Sequence, residues 1–137
     1  MKKKLCLSLM LMLPVFASNT FAKNWKPDGS YSNRDYNLNI DFRKKEVSIG
    51  SNICWLNGRL TQSKKNSSQF IVKVDYADGM VCPDIKTLTI TVLDGQEWNN
   101  KAKTLKVSHK IDKNAVGYAQ YSHRDRVNFS GYYTYTD

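Results

Sequence analysis

Histidine and cysteine are scarce in this chain, at two and three among 137 residues. No two cysteines have the Cys-x-x-Cys spacing of a redox or zinc motif. Two histidines make no metal site unless carboxylates converge on them, and no such set is visible. A nucleophilic triad needs a nucleophile, a base and an orienting acid, and only His109 and His123 have a base of suitable pKa. Glycine-rich phosphate loops are missing. So are internal repeats, low-complexity stretches and helix-period segments of useful length. The expectation is a non-enzymatic domain with no metal and no cofactor.

Long apolar runs are also missing. The one candidate, Leu5–Phe16, is too short for a bilayer, which needs about 20 residues. It follows Lys2-Lys3-Lys4 and precedes Thr20-Phe21-Ala22, the layout of a secretory signal peptide. The reading is a signal over 1–22, a single domain over 23–137, and export to a periplasmic or extracellular space without a membrane span. Cleavage there takes three of the 21 cations and none of the 12 acids, so the formal charge falls from +9 to +6. A basic exported protein is drawn to acidic partners. Cys6 leaves with the signal, and Cys54 and Cys82 remain to form one structural disulfide.

What is abundant is alternation. Tyr36, Leu38, Ile40 and Phe42 alternate with polar residues, Arg43-Lys44-Lys45 makes a charged turn, and Val47 and Ile49 continue on a second strand. Ile53–Leu56 is apolar on both faces and reads as deeply buried. Asn57-Gly58 is a strong hairpin signal, pairing Leu56 with Arg59 and Trp55 with Leu60. Phe70, Val72, Val74 and Tyr76 share one face of a further strand. Asp78-Gly79 and Asp94-Gly95 read as tight turns around the strand Leu88–Val92, and Pro83 as an exit from the sheet. Leu105, Val107, His109 and Ile111 form another strand. A three-residue loop, Arg124-Asp125-Arg126, then sets Ala119 against Gly131 and Tyr121 against Phe129 in a final hairpin. About eight short strands in a mostly meandering order predict an all-β domain. It is a small antiparallel barrel or a two-sheet sandwich, the barrel favoured because it removes exposed edges.

Phe42, Trp55, Phe70, Tyr76 and Phe129 are expected to fill the interior. The basic clusters Arg43–Lys45, Lys64-Lys65 and Lys101–Lys106 read as solubilising turns, and nucleic acid is not an expected partner. Two function classes follow. One is a protein-binding module (an inhibitor, an immunity-type protein or an envelope interaction partner) with an acidic protein as its partner. Its candidate contacts are Arg124, Arg126, Tyr132 and Trp98, with Trp25 and Tyr31 near the mature start. The other is a carrier of a lipid or similar apolar molecule inside the barrel. His109 and His123 fall on inward rows near strand ends, where they are candidates for a ligand or pH-sensing rim. Asn66 and Asn128 begin glycosylation sequons.

Overall fold

The computed structural model describes residues 24–79, 82, 85–109 and 127–136. Within them lie eight strands: β1 (Gly29–Ser32), β2 (Asn37–Asp41), β3 (Glu46–Gly50), β4 (Cys54–Gln62), β5 (Gln69–Gly79), β6 (Thr87–Gly95), β7 (Ala102–His109) and β8 (Gly131–Tyr135). Each pairs antiparallel with the next, and β8 returns to β1, so the sheet closes into a barrel. Inward rows follow the alternation. Leu38 and Ile40, Val47 and Ile49, Phe70 and Val72, Leu88 and Ile90, and Leu105 and Val107 are all buried. Tyr31, Phe129 and Tyr133 complete the interior as its largest fully buried side chains.

The three X-Gly pairs read as turns are instead strand positions. Asn57 and Gly58 lie inside β4, where both pair with β3 and β5. The described residues with positive φ are Gly29, Lys45, Gly79 and Gly131, so Asn57 and Gly58 lack the left-handed backbone of a type I′ turn. Gly58 is needed because the strands crowd there: a Cβ would run into the Lys73 carbonyl oxygen and Val72. Gly79 pairs with Cys54 at the end of β5, and Gly95 pairs with Ala102. The Trp25 ring lies against Gly95, where any side chain would collide with it. Glycine next to Asn or Asp thus marks close backbone approach and local bulging here rather than reversal.

One bulge explains a misplaced aromatic. Asn57 faces Tyr76 and Gly58 faces Val74, which leaves Asp75 as an extra residue on β5. An extra residue swaps inside for outside beyond it. Phe70 and Val72 therefore point in, whereas Tyr76 points out and is 59% exposed. Trp55 sits between buried Cys54 and Leu56 on the outer face of β4 and is half-buried, and Ile53 is 41% exposed. That segment is therefore buried on one face only. Tyr31 is not a surface contact but 1% exposed core, and Trp25 packs against that core.

The final hairpin also differs. β8 takes β7 on one edge, with Gly131 opposite Val107 and Tyr133 opposite Leu105, and β1 on the other. Barrel closure requires both edges of β8. The expected partner strand 118–123, its loop and Ile111 lie outside the described residues, as do the signal segment and Pro83. Val127–Ser130 precede the strand rather than belonging to it.

Cys54 at the start of β4 is bonded to Cys82, with 5.1 Å between the Cα atoms. The link ties the connection after β5 to the first residue of β4. Replacing both cysteines by alanine is expected to lower unfolding free energy by about 3–4 kcal/mol on the chain-entropy account. Gly58→Ala is expected to cost about 1–3 kcal/mol through overpacking. Urea unfolding midpoints of the two variants check both values.

Candidate functional site: a basic barrel end

In a closed meander, successive turns alternate between the two ends. The connections 42–45, 63–68 and 96–101 therefore share one end. The leading segment joins them: the Lys26 amide donates to the Asn100 carbonyl at 2.6 Å and the Ala102 amide to the Lys26 carbonyl at 2.8 Å. The charges on these four segments are Lys26, Arg43, Lys44, Lys45, Lys64, Lys65 and Lys101, seven cations, against Asp28 and Glu97. The described connecting residues at the other end hold Arg34 and Lys86 against Asp35. Among the described connecting residues, positive charge is thus concentrated at this end.

At this end is an open basin of about 890 Å³, lined by Lys26, Asp28, Asp41, Phe42, Arg43, Lys45, Asn99, Asn100 and Lys101 among others. Phe42 is part of its lining. The ring meets Phe70 of the core edge-on, with centroids 5.9 Å apart. It also carries the Lys45 Nζ at 3.7 Å and the Lys26 Nζ at 5.5 Å from its centroid. Such cation–π contacts contribute about 0.5–1 kcal/mol each where water has access. The Lys101 Nζ stands 3.6 Å from Asp28 Oδ2 and 5.9 Å from the Tyr135 ring.

Backbone hydrogen bonds shape the walls. The Phe42 amide donates to Asp28 Oδ1 at 3.0 Å and the Lys44 amide to Asp41 Oδ1 at 3.0 Å. The Lys101 amide donates to Asn99 Oδ1, and the Asn99 side-chain amide donates to Gln96 Oε1, both at 2.9 Å. Lys45 closes the β2–β3 turn with φ of 62°, and its carbonyl accepts the Leu60 amide at 2.9 Å.

Of the residues singled out from sequence, Trp98 belongs to this end, in the turn between β6 and β7, and is 81% exposed. Tyr132 lies on the barrel wall opposite Lys106 and is 61% exposed. Arg124, Arg126 and His123 lie outside the described residues. Lys26, Phe42, Lys45 and Lys101 were not singled out as a site, because their convergence depends on which turns share an end. No group of three or more His, Cys, Asp or Glu able to hold a metal ion occurs among the described residues, and none of their helices is long and apolar enough to cross a membrane.

His109 lies at the last position of β7, opposite Leu88, away from the basic end. Its Nε2 accepts the Phe129 amide at 3.0 Å, which assigns the proton to Nδ1. That Nδ1 is buried without a partner among the described residues. Against known protein families, characterised proteins and solved structures, the chain gives no match.

Burial lowers the His109 pKa below 6.5, only partly offset by the neighbouring Asn128 side chain. The unfolded chain then binds a proton more readily than the folded one. The stability contribution is complete above about pH 6.5 and declines as pH falls toward the folded value. His109→Gln keeps an acceptor for the Phe129 amide and removes the titration. Urea midpoints at about pH 7.5 and about pH 5.5 should differ more for the wild type than for this variant.

Proposed function

We propose that this chain is an exported, non-enzymatic interaction module that docks an acidic protein partner on its basic end. It would act as an inhibitor, an immunity-type protein or an envelope interaction partner. The observation that carries the reading is the gathering of seven cations on the four segments of one barrel end, with Trp98 81% exposed among them. A field of one sign steers an oppositely charged partner and raises the association rate. An exposed tryptophan is a favourable anchor once docking desolvates it. The turns that carry these groups are held by backbone hydrogen bonds and by asparagine and aspartate caps, which lowers the ordering cost of binding. Interior positions are taken by large side chains, Tyr31, Phe129 and Tyr133 among them, and this favours a surface role over a carrier role.

The test is affinity capture from periplasmic extract and culture fluid on immobilised wild-type protein. Two variants run in parallel, Trp98→Ala and Lys44→Glu/Lys65→Glu, with their folding checked by unfolding midpoint. An acidic protein retained at low salt by the wild type, and bound about tenfold more weakly by each variant, is the expected result. Equal retention by all three proteins contradicts the reading. So does a lipid co-purifying in stoichiometric amount, seen by native mass spectrometry, with no protein partner.

A further inference from the structure

We infer that the basin over Phe42 is a discrete subsite for carboxylate groups, partly occupied from within by Asp28, and that its ligand is a pair of neighbouring acidic side chains on the docked protein. The inference rests on the proposed docking of an acidic partner and names the chemistry of its central contact.

Asp28 shows which ligand fits. One of its oxygens, Oδ1, is held by the Phe42 amide at 3.0 Å, which directs the other, Oδ2, to Lys101 at 3.6 Å. A carboxylate therefore already stands in the basin, facing one of its ammonium groups. Lys45 and Lys26 face the Phe42 ring instead. An aromatic face holds an ammonium weakly in water, so these two are readily redirected to an incoming anion. Arg43, also in the lining, offers the fork that matches a carboxylate with two parallel bonds.

Lys45 supplies a second, independent observation. Its φ of 62° is the left-handed conformation that glycine adopts without strain and other residues at a cost of about 1 kcal/mol or more. A strained backbone that puts an ammonium over the basin points to use of that ammonium.

Carboxylate is favoured over phosphate by the state of the turn amides. Phosphate sites are built largely from free backbone N–H groups. Here the Phe42 and Lys44 amides are already capped by Asp28 and Asp41. With two of the turn's amides taken, side-chain charge is the main attraction for an anion, which suits acidic side chains on a chain that brings several together.

The experiment is titration of the full domain with hexaglutamate at low salt, followed by amide shifts in NMR and by calorimetry. Lys45→Gly should weaken binding about two- to fivefold, the range of a solvent-exposed ion pair, and should keep or raise the unfolding midpoint. Asp28→Asn retains the acceptor for the Phe42 amide and releases Lys101, so binding should tighten about two- to fivefold. Asp35→Asn and Lys86→Gln change the same charges at the opposite end and should have little effect. The inference is overturned if Asp35→Asn tightens binding as much as Asp28→Asn. It is also overturned if inorganic phosphate or phosphatidylglycerol vesicles shift the Phe42 and Lys45 amides at lower concentration than hexaglutamate. If the variants bind hexaglutamate alike while Trp98→Ala still loses the captured partner, the subsite fails and the docking reading stands. If neither effect is seen, both fall.

Discussion

The barrel is closed at Tyr31, and the rest of the molecule depends on that seam. Only Tyr31–Tyr135 and Ser32–Thr134 pair β1 with β8. The Tyr31 ring meets Tyr135 edge-on at 5.4 Å, and its hydroxyl donates to the Ala102 carbonyl at 2.8 Å, bridging from β1 to β7. Burial raises the phenol pKa, which keeps the hydroxyl a neutral donor. Just beyond the last strand the Thr136 amide donates a hydrogen bond to the Ser30 carbonyl at 2.8 Å. Without this seam the sheet would expose the edges of β1 and β8.

Closure turns a list of charged loops into a surface. An open sheet lets its turns splay, whereas a closed meander assigns them alternately to two rims. Arg43–Lys45, Lys64-Lys65 and Lys101 occupy connections of the same parity and meet at one rim. The disulfide sits toward the other rim, at the start of β4. The two ends thus differ in character: one is covalently stapled, and the other is shaped by side-chain caps and holds seven cations on its described segments.

Much of this was legible from the alternation of side chains. Leu38, Ile40, Val47, Ile49, Leu88, Ile90, Leu105 and Val107 point inward as their spacing requires, and the two cysteines are joined. Where the structure departs from the local pattern, contacts between distant segments are the reason. Asn57-Gly58, Asp78-Gly79 and Asp94-Gly95 carry turn residues, but the crowding of neighbouring strands and of Trp25 is what calls for glycine there. Tyr76 was misplaced because a bulge at Asp75 has no local signature and reverses every face beyond it. The strand β1, Gly-Ser-Tyr-Ser, has one apolar residue and no alternation to detect, because its pairing arises from closure. Trp98 was legible as a candidate contact. The basin was legible only as separate basic clusters, since same-parity turns converge only once the sheet is known to close.

By itself the sequence determined the class of fold, the staple and most of the core, because a strand's two faces are written in adjacent residues. It also determined that the domain is basic. Which glycines bulge rather than turn, which face Tyr76 takes, and that Lys26, Lys45 and Lys101 gather around Phe42 were decided only by the tertiary structure. Those features depend on contacts between segments far apart in the chain, and no local pattern encodes the distance between them.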